Sequence, residues 1–309
     1  MSRSIDFMGW LRPALGLSCS LIFGSILALT LNGLNFGLDF TGGLLMELRF
    51  PHAVDAEVVR RVAVDHGHPT VVVQTLGSES EMVVRAPTAS GGHAGQSADR
   101  LLAGFREAYP DIEVERIEVV GPAVGEELRE TAGLAILASL GAMCAYLMWR
   151  FTLKFALAAL IALVHDVIIT VGAFAVFRWS FDLAVVAAVL SVIGYSLNDT
   201  IVICDRIREN LRRMSGASLA EVINRSLNQT LERTLIMSGT TLLVLVALLV
   251  AGGPALRGFA AALTIGVVVG TYSSIYVAAA FLMQTRVERE DLMPEPDEQP
   301  AAGRSRRAA

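Results

Sequence analysis

Leu183–Cys204 reads LAVVAAVLSVIGYSLNDTIVIC, an apolar run in which Asp199 is the only charged residue. A bilayer core about 30 Å thick takes roughly 20 helical residues to cross, so this stretch is read as a membrane span. A carboxylate in the middle of such a helix costs about 2.5 to 3.5 kcal/mol on insertion scales. Asp199 is therefore expected to face a bundle interior and to mark an ion or substrate path. Asp205 and Arg206 follow it, and seven residues at about 1.5 Å each place Asp199 roughly 10 Å inside that polar edge. At 100° per residue, Ser191, Tyr195, Asn198 and Asp199 fall on one helical face.

Outward from this run, five more stretches qualify as spans: Pro13–Leu34, Thr131–Trp149, Phe155–Phe177, Thr230–Ala251 and Gly258–Met283. The whole chain of 309 residues is 53% hydrophobic and 18% charged, against roughly 25% charged in soluble domains. The apolar part of the first run exceeds a signal peptide's core of about 7 to 15 residues, so it is read as an anchor. Arg150 and Lys154, and then Arg206, Arg208, Arg212, Arg213 and Arg225, occupy two connections on one side, against Arg178 and Arg257 on the other. The positive-inside rule then puts both termini in the cytoplasm. A net charge of -5 offers no basic field for nucleic acid. Cys19, Cys144 and Cys204 all lie within apolar runs, which argues against disulfides or zinc and for small hydrophobes packed among helices.

The polar interval 35–130 alternates in a different way. Strand-like Leu44–Phe50, Thr70–Leu76, Met82–Arg85 and Ile112–Val120 are interleaved with helix-like Ala53–Asp65 and Ala98–Ala108, giving βαββαβ. That order matches the split βαβ, ferredoxin-like arrangement of two layers. The expected division is a cytoplasmic N-terminus with the first span (1–34), an external α+β domain (35–130), spans two to six with a cytoplasmic loop at about 205–229 (131–284), and a disordered cytoplasmic tail (285–309). A Gly- and Ser-rich link is expected at Ser90–Ser97. His66 and His68 flank Gly67 without a third ligand and are read as a turn, so no metal is expected. There is no phosphate-binding loop of the G-x-x-x-x-G-K-[ST] type, no cofactor is expected, and the chain is not read as an enzyme.

Other polar groups stand inside the spans. Arg233 neighbours a stripe of Thr230, Thr234, Ser238 and Thr241 at helical spacing. A buried Arg stays charged and seeks a carboxylate, whereas a peripheral one snorkels to headgroups. His165 and Asp166 sit near the middle of span three, with Thr170 on the Asp166 face, as a packing cluster or as part of ion movement. Gly266, Gly270, Thr271, Ser273 and Ser274 give span six a small-residue face that permits close helix approach. Gly42 and Gly43 tolerate positive φ and close backbone contact, as expected where span one turns directly into the first strand as a short, stiff coupling.

Several strings together resemble one family. Gly37-Leu38-Asp39-Phe40-Thr41-Gly42-Gly43, Gly121-Pro122-Ala123-Val124-Gly125, His165-Asp166-Val167, and Tyr195-Ser196-Leu197-Asn198-Asp199-Thr200-Ile201-Val202 with Asp205-Arg206-Ile207-Arg208-Glu209-Asn210 are similar to SecF, as are Asn228-Gln229-Thr230-Leu231 and Gly270-Thr271-Tyr272-Ser273-Ser274-Ile275. SecF is the smaller membrane subunit of the SecDF accessory complex in bacterial protein export, related to the RND transporters. Glu232 departs from the family's small polar residue before Arg233. The resemblance implies an inner-membrane subunit that pairs with SecD, docks on the SecYEG channel and pulls secreted polypeptides outward on the proton motive force after SecA has driven them across. It further implies that Asp199 carries the proton and that Arg233 is its charge partner; Asn198 supports them, on the strength of its helical face. The rival readings are a half-size RND-type exporter of small molecules and a scaffold whose polar groups only fix helix packing.

Overall fold

The computed structural model describes residues 5–86, 94–214, 216–288 and 291. A single turn of 3-10 helix at Met8–Trp10 leads into α1 (Leu11–Asn32), followed by β1 (Asn35–Phe36), α2 (Leu38–Thr41), β2 (Gly43–Arg49), α3 (Ala56–Asp65), β3 (Val72–Leu76), β4 (Ser78–Ala86), α4 (Ala94–Ala108) and β5 (Glu113–Val120). Then come α5 (Pro122–Arg150), α6 (Leu153–Phe177), β6 (Ser180–Phe181), α7 (Leu183–Arg213), α8 (Leu219–Ala251) and α9 (Gly253–Gln284). The helices α1 and α5–α9 are long and apolar enough to cross a membrane.

Several of these helices overrun their apolar limits. At 1.5 Å per residue, α5, α7 and α8 run about 43 to 50 Å against a core of about 30 Å. The surplus of α5 carries Glu126, Glu127, Arg129 and Glu130 beside the sheet, while that of α7 carries Arg206–Arg213 at the opposite end. The segment 205–229, expected as a loop, is therefore mostly helix; the chain leaves α7 at Arg213 and Ser218 caps α8 in a reciprocal box with Glu221. Within the bundle, α6, α7 and α9 are the most buried, and α1, α5 and α8 lie outside them. Only Cys204 of the three cysteines is buried; Cys19 faces outward, so its expected place among packed helices is corrected.

The larger sheet is antiparallel throughout, in the order β3-β4-β2-β5. Alternation along β2 sends Leu44, Met46 and Leu48 to one face, where they join Met82 and Val84 of β4 beneath Val59 and Ala63 of α3 and Leu101 and Phe105 of α4. Burying each such large side chain contributes about 1.5 to 3 kcal/mol, which makes this the cohesive layer. The opposite face turns toward the spans, with Leu45 and Val83 packed on Leu38 of α2. Between that face and the span ends lies a cavity of about 570 Å³ lined in part by Glu47, Arg85, Arg116, Asp182 and Arg257.

The passage from α1 to the sheet is not the direct turn expected. Asn35 and Phe36 pair in parallel with Ser180 and Phe181, and α2 intervenes before β2. Gly42 and Gly43 then take φ of 65° and 131°. A Cβ at Gly42 would stand 2.9 Å from Pro122 Cα, and one at Gly43 would stand 2.8 Å from Ala86 O. Both the backbone conformation and the close approach require glycine. Of the expected Gly/Ser link, residues 90–93 lie outside the described residues, while 94–97 form the first turn of α4 and not a link; the tail after 291 lies wholly outside them.

Candidate functional site in the helix bundle

Asp199 occupies the inner side of α7 with 3% of its surface exposed. It faces the stripe on α8, where Thr230, Thr234 and Ser238 are buried. Even so, Asp199 Oδ2 and Thr234 Oγ1 are both buried without a hydrogen-bond partner, as is Tyr195 OH. Ser238 instead shares a hydrogen bond of 2.7 Å with Thr271 of α9. Arg233 is exposed on the flank of α8, one residue and therefore about 100° away from that stripe. It acts on Asp199 through space, and no ion pair closes between them among the described residues.

The single polar face expected on α7 is split by the bundle. Asp199 and Ser196 point inward, Tyr195 is half-buried, and Ser191, Gly194 and Asn198 are exposed. Asn198 Nδ2 meets only Met237 Sδ, at 4.0 Å. An exposed polar stripe thus runs beside the buried carboxylate, in the middle of a span.

Asp166 is the second buried carboxylate, at 0% exposure midway along α6. Its partner is not Thr170, whose Oγ1 is buried and unpaired. Asp166 Oδ2 accepts hydrogen bonds from Ser196 of α7 at 2.5 Å and Ser273 of α9 at 2.7 Å, while Oδ1 lies 2.9 Å from His165 Nδ1. His165 Nε2 lies 3.2 Å from Ser18 Oγ of α1, which in turn lies 3.1 Å from Tyr272 OH of α9. The cluster joins four spans. Small residues make room for it: a Cβ on Gly270 would touch Ser196 Cβ at 3.2 Å, and one on Gly266 would overlap Val192. Sequence reasoning missed Ser18, Ser196 and Tyr272 as members, and nothing in the sequence set Ser18 apart from Ser20 and Ser25 of the same helix.

The segment carrying Gly42 and Gly43 reaches the same helix as Asp199. Asp39 Oδ2 accepts the Leu183 N–H at 2.9 Å and Asp182 Oδ1 accepts the Val185 N–H at 2.9 Å, so two carboxylates cap the start of α7, where the helix dipole favours anions. Burial raises the Asp182 pKa above its ordinary value, and the Asp39 charge adds to the shift. Arg129 of α5 donates to Phe40 O at 2.8 Å and lies over the Phe36 ring at 5.1 Å. Among the described residues no group of three or more His, Cys, Asp or Glu side chains comes together as a metal site.

Comparison with known proteins agrees with this architecture. Residues 101–288 match the family described as protein export membrane protein SecD/SecF, C-terminal, and residues 27–50 match the SecD/SecF GG motif. The chain is 44% identical to the protein translocase subunit SecF of Vibrio alginolyticus, over 94% of this chain and 93% of that one. To the subunit of the same name in Escherichia coli O157:H7 it is 42% identical, over 96% and 93%. Among solved structures it is similar to SecDF, a translocon-associated membrane protein from Thermus thermophilus, with a TM-score of 0.84 and 38% identity over 92% of this chain. A second SecDF structure, in a super-membrane-facing form, gives 0.68 and 36% over 93%. The chain spans 39% of the length of each of those SecDF chains.

Proposed function

The chain belongs to the SecF family of protein-export membrane proteins, a multi-pass subunit of the inner membrane, and on that premise we propose how it serves as an accessory subunit of the Sec translocase. It pairs with a SecD-like membrane subunit at the SecYEG channel and uses the proton motive force to draw secreted polypeptides outward in the late steps of export. The observation that carries this reading is the buried, unpartnered Asp199 Oδ2 beside an exposed polar stripe in the middle of a span. Ser191 Oγ donates to Ala187 O at 2.8 Å within its own helix, but hydrocarbon cannot satisfy the Asn198 amide, so a polar helix from a partner subunit is the fitting neighbour.

In this scheme Asp199 carries the proton and Arg233 is its counter-charge when it is ionised. An ionised carboxylate at that depth requires a counter-charge, whereas a protonated one requires only an acceptor. Loading and unloading the proton would therefore alternately draw in and release the Arg233 guanidinium, favouring two packings of α7 against α8. Asn198 meets the partner helix. Asp166 is the second carboxylate of the path, set one helix deeper. Moving one charge through 100 mV supplies about 2.3 kcal/mol, enough to bias such a pair of packings. Gly42, Gly43 and Asp39 transmit the change, since one short segment both caps α7 and enters the sheet.

The sheet with its two helices is assigned to the ferredoxin-like class, supported by the βαββαβ order and the antiparallel arrangement β3-β4-β2-β5. We place it on the extracytoplasmic side of the inner membrane, between residues 35 and 130, with both termini cytoplasmic. Supporting this, Arg150, Lys154, Arg206, Arg208, Arg212 and Arg213 all lie at the end of the bundle away from the sheet.

The experiment compares inverted inner-membrane vesicles bearing the translocase and a SecD-like subunit, with and without this chain. Export completed after SecA action should rise when the chain is present and lose that increment when a protonophore collapses the gradient. An increment that survives the protonophore would refute gradient coupling.

A further inference from the structure

A cavity of about 550 Å³ opens at the end of the bundle away from the sheet, lined by Arg150, Arg208, Arg212, Arg213, Asp205 and Glu209. Four guanidiniums line it together with two carboxylates. The carboxylates are already engaged: Asp205 lies 2.5 Å from Arg150 and 3.5 Å from Arg208, and Glu209 lies 2.5 Å from Arg206 and 2.8 Å from Arg213. Arg150 and Arg208 are further crowded over one ring, their guanidinium carbons 4.9 Å and 5.9 Å from the Phe151 centroid. Arg208 Nε is buried without a hydrogen-bond partner. Crowded like charges and an orphaned N–H donor are both relieved by an anion with several acceptor oxygens, and the planar guanidinium matches phosphate geometry.

The surroundings point to the source of that phosphate. Arg150 ends α5 immediately after Trp149, which is 83% exposed, and Leu153 at the start of α6 is 60% exposed. Trp at this position marks the headgroup level of a bilayer. A lipid whose acyl chains lie along Trp149 and Leu153 has its headgroup beside the arginine cage, whereas a free anion gains nothing from those apolar faces. We propose that this cavity is a binding site for the phosphate headgroup of an anionic phospholipid, held by Arg150, Arg208 and Arg213 and distinct from the Asp199 path. Such a lipid clamps the end of α7, the helix that carries Asp199, to the α5–α6 connection.

The test uses the full chain in complex with its SecD-like subunit, carrying Trp10→Phe and Trp179→Phe so that Trp149 is the only tryptophan of this chain. The complex is reconstituted with brominated phosphatidylglycerol or brominated phosphatidylcholine at equal mole fraction, and a parallel complex carrying Trp149→Phe supplies the partner's emission for subtraction. Phosphatidylglycerol should quench Trp149 at lower mole fraction than phosphatidylcholine, and Arg208→Gln with Arg213→Gln should weaken that preference about fivefold for each arginine removed. Charge-matched Arg60→Gln with Arg61→Gln on α3 should leave it unchanged. Equal quenching by the two lipids in the otherwise wild-type complex overturns the site whether or not the double variant folds. Loss of the preference in millimolar inorganic phosphate at constant ionic strength overturns the lipid assignment in favour of a free anion.

Discussion

Replacing Asp166 separates a hydrogen-bonding role from a merely space-filling one. In Asp166→Asn the side-chain oxygen can keep both Ser196 and Ser273, which now converge on Oδ2 at 2.5 and 2.7 Å. The new amide must donate to His165 Nδ1, which places the ring proton on Nε2, where Ser18 Oγ at 3.2 Å can accept it. Every bond survives, and only charge assistance is lost: about 1.5 to 3 kcal/mol for a bond to a charged group falls to about 0.5 to 1.5 for a neutral one. Over three bonds the loss is about 3 kcal/mol, offset in part because a charge no longer has to be buried, which leaves a net cost of about 1 kcal/mol. Asp166→Leu instead strands the Ser196 hydroxyl and the His165 ring at about 1 to 3 kcal/mol each, while Ser273 retains Gly270 O at 3.1 Å. Together these sum to about 2 to 6 kcal/mol. At an unfolding entropy of about 2.1 cal/mol/K per residue, 309 residues give about 1.5 °C per kcal/mol, so thermal unfolding of this subunit in the purified complex should shift by about 1.5 °C for Asn and by about 3 to 9 °C for Leu. A Leu variant within 2 °C of wild type, or an Asn variant as damaged as Leu, would refute the four-helix hub.

Three further outcomes follow from the geometry. Gly42→Ala forces a Cβ to 2.9 Å from Pro122 at φ 65° and should cost about 1 to 3 kcal/mol, read as faster proteolysis of the sheet domain with the spans intact; unchanged proteolysis would contradict the close coupling. Asp182→Asn keeps the cap on α7 but removes a carboxyl whose pKa burial raises above 3.8. Ionisation of that carboxyl opposes folding at neutral pH and the cost fades as pH falls through the raised pKa, so the variant should gain on wild type at pH 7.5 and converge with it near pH 4; a constant difference between the two pH values would contradict this. Reporter fusions after Arg213 should read cytoplasmic and those at Gly77 external, and the reverse would invert the orientation.

The spans were legible because hydrocarbon thickness imposes a length that composition alone reveals, and the βαββαβ order was legible because alternation and helical spacing differ in period. Helix ends were not, since α5, α7 and α8 continue past the bilayer on amphipathic turns where polarity resembles a loop. The pairing of Asn35–Phe36 with Ser180–Phe181 left no signal: two residues have no periodicity, and their partners are distant in sequence. Asp166 was placed near the middle of its span, but its hydrogen-bond partners were not named. Spacing within one helix puts Thr170 on the same face, but the hydrogen bonds were made across helices by Ser196 and Ser273. The offset of Arg233 from the Thr230–Ser238 stripe was readable from helical geometry, whereas the unsatisfied Asp199 Oδ2 required the packed bundle.

The central claim, that a proton on Asp199 drives the subunit, is tested most directly by proton-gradient-dependent export in vesicles holding the translocase at equal subunit levels. Asp199→Asn keeps the size and hydrogen bonding of the side chain without its titratable charge, so the complex with the SecD-like subunit should assemble while the gradient-dependent increment disappears. Arg233→Lys, which retains the charge but not the rigid planar fork, should recover only part of it. Full gradient-dependent stimulation by the Asp199→Asn complex would contradict the account and leave Asp199 as a packing residue.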